Sequence, residues 1–182
     1  TGCEGPRANI VVTVDVAAPA SLSYTTPNVY TTGTTITALN PTSTGGPITQ
    51  YTIGPSLPAG LTINPTTGVI SGTPSVTSTQ TTYTVTGTNA SGTITATVVI
   101  TVNDAPPAGL SYTSPNVYTV GSTITSLDPT STGGPIANYT ISPSLPNGLS
   151  IDPTTGSITG TPSQVSSETS YVVTGTNISG SI

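Results

Sequence analysis

Six carboxylates (Glu4, Asp15, Asp104, Asp128, Asp152 and Glu168), Arg7 and Cys3 are the whole stock of charged or strongly nucleophilic side chains in 182 residues. Histidine and lysine are absent. A pair of carboxylates can do acid–base work, but a serine or cysteine nucleophile needs a neighbouring base, and none of the usual bases is available. Two of the six acids, Asp128 and Asp152, stand where an internal repeat has Asn40 and Asn64. A position that takes either Asp or Asn suits a surface turn better than proton transfer. The sequence therefore offers no catalytic residue and reads as non-enzymatic. Charged residues make up 4% of the chain and the net charge is −5, against about 25% charged in ordinary soluble domains. A single cation excludes nucleic acid as a partner, since phosphate contacts need clustered Lys and Arg.

The elements that would carry these side chains follow from a repeat. At a shift of 88 residues Leu22 falls on Leu110, Tyr51 on Tyr139, Gly72 on Gly160 and Gly92 on Gly180. Of the 73 pairs from Leu22/Leu110 to Ile94/Ile182, 52 are identical. Such a period exceeds the roughly 20–50 residues of the common solenoids and fits whole domains in tandem. The most constant stretch is Ser56 to Pro74, repeated as Ser144 to Pro162. Leu61-Thr62-Ile63 and Val69-Ile70-Ser71 around Asn64-Pro65-Thr66-Thr67-Gly68 predict two short strands joined by a turn, with Leu57 and Leu61 folded under the sheet.

The boundaries then read 1–16 for an N-terminal segment, 17–104 for a first repeat and 105–182 for a second. In the first repeat, strands are predicted at Ser21–Tyr24, Asn28–Tyr30 after Pro27, Thr35–Leu39, Ile48–Ile53, Thr81–Gly87 and Thr93–Val102, with Asn40–Pro47 as a loop. The last two strands form a hairpin across Asn89-Ala90-Ser91-Gly92. About seven alternating Val, Ile, Thr and Tyr strands with frequent turns predict an all-β, antiparallel sandwich. Period-2 alternation predicts burial of Leu57, Leu61, Ile63, Ile70, Tyr83 and Val85, and of Leu145, Leu149, Ile151, Ile158, Tyr171 and Val173. No run approaches the 18 apolar residues of a membrane span.

Leu-Pro-Ala-Gly-Leu-Thr-Ile-Asn-Pro-Thr-Thr-Gly-Val-Ile-Ser-Gly-Thr-Pro (57–74), followed by Tyr-Thr-Val-Thr-Gly-Thr-Asn (83–89), resembles the He_PIG immunoglobulin-like repeats of bacterial surface proteins. The resemblance runs through both repeats from Leu22. It implies tandem cadherin-like sandwiches in an extracellular, cell-surface protein with adhesive, spacing or envelope roles, and no catalytic residues. Val102-Asn103-Asp104-Ala105-Pro106 resembles the acidic junctions at which cadherin-like domains hold calcium, so Asn103 and Asp104 are weak calcium candidates. Calcium takes six to eight oxygens, and the opposite reading is a polar linker stiffened by Pro106-Pro107. Otherwise no cofactor is implied. Asn89-Ala90-Ser91, Asn138-Tyr139-Thr140 and Asn177-Ile178-Ser179 match the N-glycosylation pattern, while Asn89 and Asn177 also suit a hairpin turn. Thr1-Gly2-Cys3 resembles the end of a lipoprotein signal; the plainer reading of the lone cysteine is a free or externally paired thiol. Alternate threonines could form an ice-binding array or an ordinary half-exposed β-surface.

The ends supply the sharpest expectation. Ala8–Val16 falls at the 88-residue shift on Ala96–Asp104, the closing strand of the first repeat, and so reads as an orphan closing strand. The second repeat stops at Ile182, the counterpart of Ile94, without that strand. Either the missing strand follows in a longer chain, as in a stalk or spacer of an adhesin that binds its ligand elsewhere, or a neighbouring copy supplies it. In the second case the partner is the protein itself. The donor residues are then Ile10, Val12 and Val14, or Val11 and Val16 in the other register. The product is an open, head-to-tail filament.

Overall fold

The computed structural model describes residues 9–182, so Cys3, Glu4, Arg7 and Ala8 lie outside the described residues. Every regular element among them is a strand. The first repeat contains β1 (Pro19–Ser23), β2 (Asn28–Thr31), β3 (Thr42–Gly45), β4 (Gln50–Gly54), β5 (Leu61–Ile63), β6 (Ile70–Gly72), β7 (Ser78–Asn89) and β8 (Gly92–Asn103). A four-stranded sheet runs β2-β8-β7-β4, and the ribbons β1-β3 and β5-β6 supply the rest. Leu22 and Tyr24, Leu61 and Ile70, and the sheet residues Tyr51, Tyr83, Val85, Val98, Ile100 and Val102 form one core cluster. The predicted hairpin spans β7 and β8 from Ser78↔Val102 to Asn89↔Gly92.

Four expectations change. The sheet is not wholly antiparallel, because β2 runs parallel to β8, with Asn28 opposite Ile100 and Thr31 opposite Asn103. Thr35–Leu39 is not a strand: Ile36 N donates to Gly72 O and Leu39 N to Ile70 O, which anchors two core residues without a ladder. The expected loop Asn40–Pro47 contains β3, paired with β1 although all four of its residues are exposed. Leu57 and Ile63 are half-buried, whereas Leu61, Ile70, Tyr83 and Val85 are buried as predicted.

The second repeat contains β9 (Pro107–Ser111), β10 (Thr130–Gly133), β11 (Asn138–Ser142), β12 (Leu149–Ile151), β13 (Ile158–Gly160), β14 (Val172–Asn177) and β15 (Gly180–Ser181). Its registers copy the first: Asn138↔Thr176 in β11–β14 matches Gln50↔Thr88 in β4–β7. Its large sheet, however, is only β11-β14-β15. Of the 12-residue β8 only the first two positions have a counterpart strand among the described residues, the 2-residue β15, which pairs with β14 as Gly92 and Thr93 pair with β7. Accordingly β14 is half the length of β7, and Asn116–Thr119, the counterpart of β2, is not a strand. The core opens with it. Ile158 is buried, but Leu149, Tyr171 and Val173 are only half-buried where Leu61, Tyr83 and Val85 are buried; Leu145 and Ile151, also predicted to be buried, are half-buried like Leu57 and Ile63 in the first repeat.

Candidate self-assembly site

In the first repeat, β8 is the strand that closes the core. Val98 and Ile100 are 0% exposed and Val102 is 1% exposed, while Thr97, Val99 and Thr101 alternate toward the other face. One edge of β8 meets β7, with Tyr83 opposite Val98. The other meets β2, and two side chains there read the backbone of Val99: Thr26 Oγ1 accepts Val99 N–H at 2.9 Å and Asn28 Nδ2 donates to Val99 O at 3.3 Å.

By the 88-residue correspondence, the equivalent place in the second repeat is a groove bounded by the edge of β14 that does not pair with β11 and by 116–119, the counterparts of β7 and β2. On that edge β15 and Ile182 reach only Gly175 to Asn177, leaving the edge at Val172, Val173 and Thr174 without a partner among the described residues. Tyr112, Ile124, Leu149, Tyr171 and Val173 are half-buried where their counterparts Tyr24, Ile36, Leu61, Tyr83 and Val85 are buried, and Val117 is 95% exposed where Val29 is 66% exposed.

The predicted donor residues lie in a segment that is exposed and not a strand in the structure: Ile10 is 84%, Val12 76% and Val14 90% exposed, and Val11 and Val16 are exposed as well. A strand needs a ladder, and residues 9–16 have none. At the 88-residue shift Ile10, Val12 and Val14 correspond to Val98, Ile100 and Val102. The structure does not bring the segment to the groove within one chain; they belong to opposite ends.

A second feature, beyond the reach of periodicity, grips the chain where each repeat begins. Asn89 Oδ1 accepts N–H groups of Ser91 and Gly92 at 2.9 and 3.1 Å, closing the β7–β8 turn as expected. Its Nδ2 then donates to Ala17 O at 2.7 Å and Pro47 O at 3.1 Å, Ser91 Oγ donates to Val16 O, and Gly46 N donates to Ala18 O at 3.0 Å. The second repeat repeats the grip on the connector between repeats: Asn177 Nδ2 to Ala105 O at 2.8 Å, Ser179 Oγ to Asp104 O, and Gly134 N to Pro106 O at 3.0 Å. Thr32 Oγ1 of the first repeat accepts Ala105 N–H at 3.2 Å. Ala105 is thus held from both sides. The recurring Asn-x-Ser-Gly was the available signal. In the fold both amide hydrogens are engaged, those of Asn89 by Ala17 O and Pro47 O and those of Asn177 by Ala105 O and Pro135 O.

Two of the carboxylates, Asp128 and Asp152, serve local structure. Asp128 accepts Ser126 Oγ at 2.7 Å and Ser157 Oγ at 2.6 Å. Asp152 Oδ1 accepts the N–H groups of Thr154 and Thr155 at 2.7 and 2.9 Å, the same turn that Asn64 makes with Thr66 and Thr67. These bonds hold both carboxyls below the ordinary 3.8. Burial pushes the Tyr24 hydroxyl, donated to Gly68 O at 2.7 Å, well above the tyrosine range. Burial likewise pushes Tyr112, donated to Gly156 O, up to about 12. Asn103 ends β8, its carbonyl accepting Thr32 N–H at 2.9 Å, and the Asp104 carbonyl is taken by Ser179. Among the described residues no three His, Cys, Asp or Glu side chains gather as a metal cluster. No helix among them is long and apolar enough to cross a membrane.

A family model described as "Putative Ig domain" (He_PIG) matches residues 8–103 and again 105–182. Among the curated proteins no sequence matches the chain significantly. Of the solved structures, the insect immune protein hemolin aligns at a TM-score of 0.56 and 16% identity, over 91% of this chain and 44% of its own. The I-band fragment of titin aligns at 0.54 and 12%, over 91% and 63%. A Bacteroides fragilis protein described as a "putative alpha-galactosidase" aligns at 0.39 and 25%, over 55% and 21%. The chain spans less than two thirds of the length of each. Hemolin and titin share its fold, a string of immunoglobulin-like sandwiches.

Proposed function

Because this chain belongs to the He_PIG family of immunoglobulin-like domains, we propose that it is a non-enzymatic structural module of an extracellular surface appendage, which polymerises by donating its N-terminal strand to the second repeat of the next copy. One observation carries the proposal. The segment with the exposed Ile10, Val12 and Val14 has the residue pattern of the strand whose Val98, Ile100 and Val102 close the first core, and the second core is open at that place. An open apolar edge promotes association, and main-chain bonding with alternate side-chain pockets is how strand addition gains affinity and register. Donor and acceptor are different surfaces, so the contact propagates instead of closing on itself. The lack of histidine and lysine, and the use of Asp128 and Asp152 in turns, support the non-catalytic reading.

A second reading, a spacer within a longer adhesin, is favoured by the doubly held Ala105, which suits a stiff joint in a stalk. In that case the closing strand comes from the same polypeptide. Deleting residues 1–16 separates the two: the proposal expects loss of filaments by electron microscopy with the first repeat still cooperatively folded. Filaments unchanged by the deletion would refute it.

A further inference from the structure

We infer, resting on the strand-donation reading, that the donor enters as a central strand with Ile10, Val12 and Val14 inward, and that the joint it makes between copies reproduces the covalent joint at Ala105 except for one hydrogen bond. The register follows from two ladders at once. Transposing Tyr83↔Val98 and Thr84↔Thr97 puts Ile10 opposite Tyr171 and Asn9 opposite Val172. Transposing Asn28↔Ile100 and Tyr30↔Val102 puts Val12 beside Asn116 and Val14 beside Tyr118 in the parallel sense. Asn116, which donates to Thr113 O at 2.7 Å as Asn28 does to Thr25 O at 2.9 Å, is held where it can address the Val11 backbone as Asn28 addresses that of Val99. A slip of one residue would turn Ile10, Val12 and Val14 to solvent and leave Asn9, Val11 and Thr13 in the core, a poorer filling.

The joint follows from the grip. From Val14 to the held carbonyl of Ala17 is the same three-residue step as from Val102 to the held carbonyl of Ala105. The groups that hold them, Asn89, Ser91 and Gly46 in one case and Asn177, Ser179 and Gly134 in the other, are identical. A donor strand seated in the groove therefore delivers its own first repeat to the acceptor's second repeat as β8 delivers the second repeat to the first. The filament is a string of evenly stepped domains. The exception is the acceptor side: the counterpart of Thr32 is Val120, 44% exposed, which offers Ala17 N–H no oxygen. Joints between copies are thus one bond weaker than joints within a copy.

The test uses the full chain in a Cys3→Ser background. Asn9→Cys with Val172→Cys, two outward positions, should give a disulfide-linked ladder on a non-reducing gel. A ladder from Ile10→Cys with Val172→Cys instead would overturn the register but keep strand donation; filaments that give neither ladder would overturn strand donation itself. Val120→Thr should slow dissociation of preformed filaments in urea by about 2–10-fold, the worth of one hydrogen bond. An unchanged or faster rate would overturn the copied joint and leave strand donation standing.

Discussion

The connector between repeats can be broken by one methyl group. A Cβ on Gly134 would lie 1.7 Å from Ala105 O, inside covalent-contact range, and that oxygen is backbone. The backbone at Gly134 has no positive φ, so alanine meets no conformational penalty there and the close approach alone is at issue. If the connector moves away, the bonds from Asn177 Nδ2 to Ala105 O, Gly134 N to Pro106 O and Ser179 Oγ to Asp104 O are lost together. Three bonds at about 0.5–1.5 kcal/mol each give about 1.5–4.5 kcal/mol. If the connector holds, the sheet must absorb the methyl as an overpacked site, at about 1–3 kcal/mol. The two routes overlap at a loss of about 1.5–3 kcal/mol for Gly134→Ala, roughly 6–24 °C in the transition of a repeat this size. Calorimetry would measure it, with small-angle scattering reporting a looser joint. The control is Gly54→Ala, where a Cβ meets nothing within 4 Å and the other repeat already has Ser142. It should move stability by no more than about 0.5 kcal/mol. A Gly134→Ala protein melting within about 2 °C of its parent would refute the account of the grip.

Two tyrosines should respond oppositely to loss of the hydroxyl. Tyr24→Phe removes the bond to Gly68 O and should cost about 0.5–1.5 kcal/mol, whereas the Tyr30 hydroxyl is buried with no partner among the described residues, so Tyr30→Phe should be neutral or stabilising in denaturant titrations. Acid should weaken the second repeat first. Asp128, through Ser157 and Ser126, and Asp152, through the Thr155 and Thr154 amides, titrate below 3.8 in the fold. Their contribution is complete above pH 3.8 and is lost as pH falls through the folded values, while Asn40 and Asn64 spare the first repeat. At the other extreme Tyr24, Tyr30 and Tyr112 are raised by burial, so their contribution is complete below pH 10.0 and declines as pH rises through the folded values. Urea midpoints of each repeat at acid, neutral and alkaline pH check both signs; an acid-sensitive first repeat beside an acid-insensitive second would contradict the assignment. Trypsin should leave 9–182 uncut even when partly unfolded, because Arg7 is the one basic residue in the chain, and mass spectrometry of a digest would show any internal cleavage.

What could be read from the residues was whatever alternates. β5 and β8 place apolar side chains on every second position, β7 does so at Tyr83 and Val85, and β6 adds Ile70 opposite β5; each was predicted. β3 was missed because Thr42–Gly45 buries nothing: its ladder with β1 is main chain plus a Ser21–Thr44 hydroxyl contact, and exposed threonines carry no period. Thr35–Leu39 was over-read for the opposite reason, since Ile36 is fixed by one hydrogen bond and Leu39 by one isolated bridge and not by a ladder. The grip on the connectors depends on an amide reaching a carbonyl 72 residues away, a relation that no local window contains.

Asn-Val-Tyr-Thr occurs twice with identical flanking logic, yet Asn28–Thr31 is a strand and Asn116–Thr119 is not. Propensity cannot distinguish them, because the four residues are the same. What differs is the neighbour: β8 lies beside the first copy and nothing among the described residues lies beside the second. The same comparison explains why Tyr83 and Val85 are buried while Tyr171 and Val173 are half-exposed despite identical side chains. On the strand-donation reading, strand at 116–119 and closure of the second core both wait on the same donor segment. A strand that makes two ladders and closes a core at once should bind in an all-or-none manner, ordering 116–119 and extending β14 in the same step. Amide hydrogen exchange on the full chain would register it as protection appearing together at Asn116–Thr119 and Ser166–Tyr171 upon assembly. Protection confined to the β14 side would mean that the donor had only lain along an edge.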